Sequence, residues 1–139
     1  MRVVADTNTV ISGLLWRGNP RQVLEAARAG AIQLFTTPAL LAELEDVLQR
    51  DKFTRRLTLA GVGARTLVLG YAALASVIQP DAIDPVVLDD PDDDVVLACA
   101  VKANAEAIVS GDKHLLALAG YKSIPIMTVT QLLAKLQSQ

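Results

Sequence analysis

Cysteine is almost absent from this chain. The 139 residues include one, Cys99, so an intramolecular disulfide is excluded. The thiol sits in the run VVLACAV and reads as a small core residue. A chain without disulfides fits a reducing, cytoplasmic setting. Histidine is equally scarce: His114 stands alone, with no Cys or His at metal-ligand spacing, which removes the usual zinc ligand sets. It reads as a surface residue or an auxiliary phosphate contact. No apolar run approaches the ~18 residues of a membrane span. Only Arg2 precedes the first β-like run, so neither signal peptide nor membrane association is expected. Repeats, linkers and low-complexity stretches are missing as well. So is an excess of positive charge: the net charge is -2. Its distribution is uneven, however. Seven of the 15 acids lie between Asp81 and Asp94, leaving eight against 13 Lys and Arg elsewhere. That describes an acidic centre in a mildly basic shell, able to hold metal centrally and phosphate peripherally; a solvated acidic loop would give the same numbers.

What remains is 52% hydrophobic and 20% charged, enough for one domain with a real core over residues 1–139. Residues 2–6 read as a buried strand, continuous and apolar. Residues 8–15 read as a short helix. Pro20 opens the next, which ends near Gly30. Residues 32–36 form a second strand. Thr37 and Pro38 start a helix that runs to about Arg50. A polar break at Asp51 and Lys52 follows, with one helical turn after it, and then a long apolar helix over 62–77. Ile78 begins a third, short strand. Pro80, Pro85 and Pro91 make a loop. Residues 94–104 are a helix, 107–109 a strand, 112–119 a helix, 124–127 a last strand and 130–136 a final helix. Strands alternating with helices imply a mainly parallel sheet covered on both faces. Ligands then bind beyond the carboxyl ends of the strands.

Carboxylates stand out against this apolar pattern. Asp6 and Asp112 each follow a predicted strand, Glu43 lies within a helix, and Asp92, Asp93 and Asp94 open another. Ionised carboxylates beside apolar segments need partners. Several together repel unless a cation neutralises them. Oxygen donors suit a hard ion such as Mg²⁺ or Mn²⁺. Helix capping is the plainer account of Asp112 and of one among Asp6, Thr7 and Asn8, and the helix dipole that of Asp92 and Asp93. Thr7 or Asn8 suffices as the cap, so the charged Asp6 that ends an apolar strand reads as functional, with Thr7 and Asn8 in support. Asp94, one turn before Ala98, is expected to point inward. Helical periodicity puts Glu43 and Glu45 on opposite flanks of one apolar face and does not choose between them. Ser110 supports a metal shell or ends its strand.

The opening strand ending in DTN, then LLAELEDVL, DPDDDVVLACA and VSGDKHLL, resembles the PIN-domain nucleases, in particular the VapC-like toxins. The ordered motifs span nearly the whole chain. The resemblance implies a three-layer α/β/α fold with a five-stranded parallel sheet in the order 3-2-1-4-5. It implies that Asp6, Glu43, Asp94 and Asp112 are the catalytic, metal-binding acids, choosing Glu43 over Glu45. Asn8, Asp92, Asp93 and Ser110 are auxiliary positions. It further implies an Mg²⁺- or Mn²⁺-dependent endoribonuclease with one or two ions, a homodimer, and a small antitoxin as partner in a type II toxin–antitoxin pair. Many members have GDKDLL where this chain has GDKHLL, so His114 replaces an acid, with consequences for a second metal or for substrate handling. The basic cluster Arg50, Lys52, Arg55 and Arg56 is either a solvated connector or an RNA phosphate contact.

Two rival readings predict other chemistry. Asp6-Thr7-Asn8-Thr9-Val10 resembles the DxDx[TV] opening of haloacid-dehalogenase-like phosphatases, but Asn8 cannot serve as their acid/base. A non-catalytic adaptor of PIN fold, binding RNA or protein, does not require all four acids.

Overall fold

The structure is a computed structural model that describes residues 1–87 and 91–138. Of the proline-punctuated loop, Leu88, Asp89 and Asp90 lie outside the described residues. The central strand β1 (Arg2–Ala5) is parallel to β2 (Gln33–Thr36) on one side and β4 (Ala107–Val109) on the other. Beyond these lie β3 (Ser76–Val77) and β6 (Ile124–Met127), also parallel. The order β3-β2-β1-β4-β6 reproduces the expected arrangement of five parallel strands. One strand was not expected: β5 (Gly120–Tyr121) adds to β6 antiparallel, at the sheet edge. It exists because Lys122 and Ser123 both take positive φ, 47° and 67°. A two-residue primed hairpin turn requires such φ at both central positions.

Side chains on a strand alternate between faces, and here the alternation builds two cores. Val3, Ala5 and Val109 face one side, against α1 (Thr7–Leu15), α2 (Asn19–Arg28), α3 (Pro38–Leu48), α5 (Ala64–Leu74) and α8 (Val129–Gln137). Val4, Ile108 and Ile126 face the other, against α6 (Pro91–Ala103) and Leu115 of α7 (Lys113–Leu118). Leu34, Leu97, Leu115 and Leu132 are fully buried, each stabilising the fold by about 1.5–3 kcal/mol relative to exposure. Cys99 lies in the second core, where burial pushes its thiol up to about 12. It is therefore a packing residue, not a nucleophile.

Between α3 and α5 the chain departs from expectation. Instead of one turn there is a ten-residue helix, α4 (Asp51–Ala60). Phe53 is its buried anchor, with Arg56 and Leu57 half-buried on the same face; this i, i+3, i+4 spacing is helical. Gly61, at φ 71°, ends it in the left-handed conformation that glycine adopts without penalty. The following helix is shorter than expected, because its last residues are drawn into β3, and Ile78 N–H continues the ladder to the Thr36 carbonyl at 2.9 Å. The other elements match their expected positions to within a few residues at either end. Among the described residues, no single helix is long and apolar enough to cross a membrane.

Candidate metal centre

Parallel pairing brings the carboxyl ends of β2, β1 and β4 to one edge. The chain leaves β1 between two neighbours reached by crossovers in opposite directions, which opens a crevice at that edge. Asp6 follows β1 directly, and its N–H donates to the Val109 carbonyl at 3.1 Å. Its carboxyl is buried and caps α1: Oδ1 accepts from Thr9 N–H at 2.9 Å and Oδ2 from the Ser110 hydroxyl at 2.5 Å. Ser110 Oγ accepts in turn from Asp112 N–H at 2.9 Å. One hydroxyl, itself buried, thus ties the ends of β1 and β4 together. Two donors on one buried carboxyl offset its desolvation. Capping and site-building are the same act for Asp6.

Asp112 repeats the device. It caps α7, Oδ1 accepting from His114 and Leu115 N–H at 2.8 and 3.1 Å. Burial pushes its carboxyl up, but the Leu115 and His114 N–H groups, a hydrogen bond with Asp93 and the His114 ring together hold it below the ordinary carboxylate range.

A cavity of about 60 Å³ lies between these segments, lined by Asp6, Asn8, Glu43, Asp92, Asp93 and Asp112 among others. Four of these acids thus come from four separate places in the sequence: β1's end, α3, α6 and β4's end. On α3 the structure separates the two flanking glutamates. Glu43 lines the cavity, whereas Glu45 faces Arg65 on α5 at 3.7 Å.

On α6 the expectation for Asp94 is corrected. Its carboxylate does not line the cavity. It accepts from Val86 N–H at 3.2 Å and Val87 N–H at 2.9 Å, fastening the preceding segment to the helix start. Asp93 is the buried member that points into the site, 7% exposed, while Asp92 lines the cavity but is exposed overall. The signal was in the sequence. Val96, Leu97 and Ala100, all at most 2% exposed, are three, four and seven residues beyond Asp93, the spacing of one helical face.

His114 was also placed too far out. Its Nδ1 lies 3.7 Å from Asp112 Oδ1, and donor atoms of Asp93, Asp112 and His114 all fall within 4.8 Å of one another. Hard carboxylate oxygens with one imidazole make a donor set that fits a divalent cation.

A second, larger hollow of about 610 Å³ adjoins the first and shares Asn8 and Asp112 with it. Ser12, Asn19, Lys113, Thr128 and Thr130 line it with hydroxyl, amide and ammonium groups. The basic cluster lies elsewhere. Arg56 Nε donates to the Leu15 carbonyl at 2.7 Å and its guanidinium stacks over Trp16, so it closes the end of α1 opposite Asp6. Arg50 faces Asp46 at 3.7 Å, Lys52 lies over the Phe53 ring, and Arg55 is exposed on the same helix.

The family model described as the PIN domain matches residues 2–114, a span that begins in β1 and ends on His114. It takes in all four acidic segments. No curated protein matches the chain. PIN domains are in general metal-dependent nucleases that hold divalent ions, built on a mostly parallel sheet flanked by helices. With the match covering most of its length, the chain belongs to the PIN-domain family.

Proposed function

We propose that this protein is a metal-dependent endoribonuclease, hydrolysing RNA phosphodiester bonds with Mg²⁺ or Mn²⁺ held by Asp6, Glu43, Asp93 and Asp112. The observation that carries the reading is the convergence of those four side chains on one small cavity. Like charges so placed repel one another, and a cation relieves the repulsion. When bound, such an ion supplies positive charge against the phosphodiester and acidifies water. Asp6 and Asp112 are held rigidly by the Ser110 network, so they enter the reaction already oriented. Glu43 reaches the cavity from a different layer, α3, and suits a water-orienting role. Asp94 serves as a clasp.

The adjoining hollow supports a path for single-stranded RNA. Lys113 and the hydroxyls of Ser12, Thr128 and Thr130 suit phosphate and sugar oxygens, contacts that position without reading sequence. In this reading Arg50, Lys52 and Arg55 act at most as a peripheral attraction for the polyanion. Within the family resemblance, the protein is the toxin of a type II pair, checked by a small antitoxin and assembled as a homodimer. The presence of all four acids favours catalysis over an adaptor role.

The test is cleavage of a fluorogenic single-stranded RNA with added Mn²⁺ or Mg²⁺. Asp6→Asn and Asp93→Asn are each expected to lower the rate by at least about 100-fold, roughly 2.7 kcal/mol of transition-state stabilisation, with circular dichroism unchanged. Full activity in either variant would refute the assigned site.

A further inference from the structure

We infer that His114 is a nitrogen ligand of the bound cation and biases this site toward Mn²⁺ over Mg²⁺. The inference deepens the divalent-cation reading above and rests on it.

Three observations carry it. The Nδ1 atom of His114 is buried, although the side chain as a whole is 38% exposed, and it has no hydrogen-bond partner among the described residues. It faces Asp112 Oδ1 at 3.7 Å, too far for a hydrogen bond. Two donors that each sit ~2.1 Å from a shared ion are ~3–4.2 Å apart, and this separation falls inside that range. Asp93 contributes the third donor of the cluster. The backbone explains the placement. Asp112 caps α7 by accepting from His114 N–H itself, so the cap brings the imidazole back over the carboxylate it serves.

Ligand chemistry then gives the selectivity. Mg²⁺ strongly prefers oxygen, whereas imidazole suits the later first-row metals, and Mn²⁺ tolerates it. An all-carboxylate cavity would discriminate weakly between Mg²⁺ and Mn²⁺; one with a nitrogen donor favours Mn²⁺.

The chain has a single histidine, which makes the assignment spectroscopically unambiguous. Tag-free protein labelled with ¹⁵N-histidine and loaded with Mn²⁺ is expected to show ¹⁵N hyperfine coupling in pulsed electron paramagnetic resonance. Calorimetric titration with each ion should give a Mn²⁺-over-Mg²⁺ affinity ratio about tenfold higher in the wild type than in His114→Asp or His114→Gln. Mn²⁺ binding that is lost in Asp6→Asn, with no nitrogen coupling and an unchanged ratio in both His114 variants, would overturn the inference and leave the carboxylate site standing. Absence of Mn²⁺ binding to the wild type would overturn both.

Discussion

At the scale of single residues, neighbours in sequence have opposite duties. Asp93 and Asp94 differ by 100° around α6, which sends one into the cavity and the other to the Val86 and Val87 amides. Asp94→Ala should therefore act as a folding mutation. Leaving two amides without their carboxylate is expected to destabilise the protein by about 1–3 kcal/mol, read by urea unfolding, while Mn²⁺ affinity measured by calorimetry stays within twofold of wild type. A loss of Mn²⁺ binding comparable to that of Asp93→Asn would return Asp94 to the metal. The contrast also shows what the sequence discloses about the site. Asp6 and Asp112 are legible because a carboxylate that ends an apolar strand is costly to bury unless something nearby uses its charge. Glu43 and Glu45 are not separable by periodicity, since both flank the same apolar face; only the cation of Arg65, 20 residues away in the chain, draws one of them off. Asp93 is legible from helical spacing, but a choice made on proximity to the helix body favours its neighbour. His114 is hidden, because its role depends on a cap that folds it back on Asp112.

Among elements, α1 and α2 pack at close range. Gly13 lies on α1 where a Cβ would stand 2.9 Å from the Pro20 carbonyl oxygen and 2.9 Å from Leu24 Cδ1 of α2. Leu24 can shift, but the Pro20 carbonyl belongs to a helix start and has little freedom. Gly13→Ala is expected to lose about 1–3 kcal/mol by overpacking, despite the better helix propensity of alanine. Thermal unfolding checks this, and a variant as stable as wild type would show that α2 slides freely on α1. The same neighbourhood marks the limit of reading elements from sequence. The parallel strands, long apolar helices and proline-led helix starts were all legible, because each carries its own pattern. The ten residues of α4 were not, since a mostly polar helix holding one buried Phe53 resembles a connector until its neighbours supply the groove. Nor was β5, whose hairpin turn uses Lys122 and Ser123 where glycine or asparagine would have announced it.

For the whole molecule, acid response follows from the site. Asp112 titrates below its unfolded value of ~3.9. Its contribution to stability is thus fully present above pH ~4 and is lost as pH falls through the lower, folded value. The difference in unfolding temperature between wild type and Asp112→Asn, measured without metal, should accordingly be greatest near neutrality and shrink below pH ~4; a gap that widens on acidification would contradict this sign. Equal consequence attaches to the two outermost strands. β3 and β5 are each two residues long, so among the described residues each outermost strand presents only a short run of unpaired backbone. Strand-by-strand recruitment, the route by which many sheet proteins clump or capture extended peptides, finds only a short template on these two outermost strands. A second molecule, whether another copy or a small inhibitor, then finds its grip on helices and side chains rather than on these margins, which leaves the acid-lined edge of the sheet free for the RNA strand that the proposed function assigns to it.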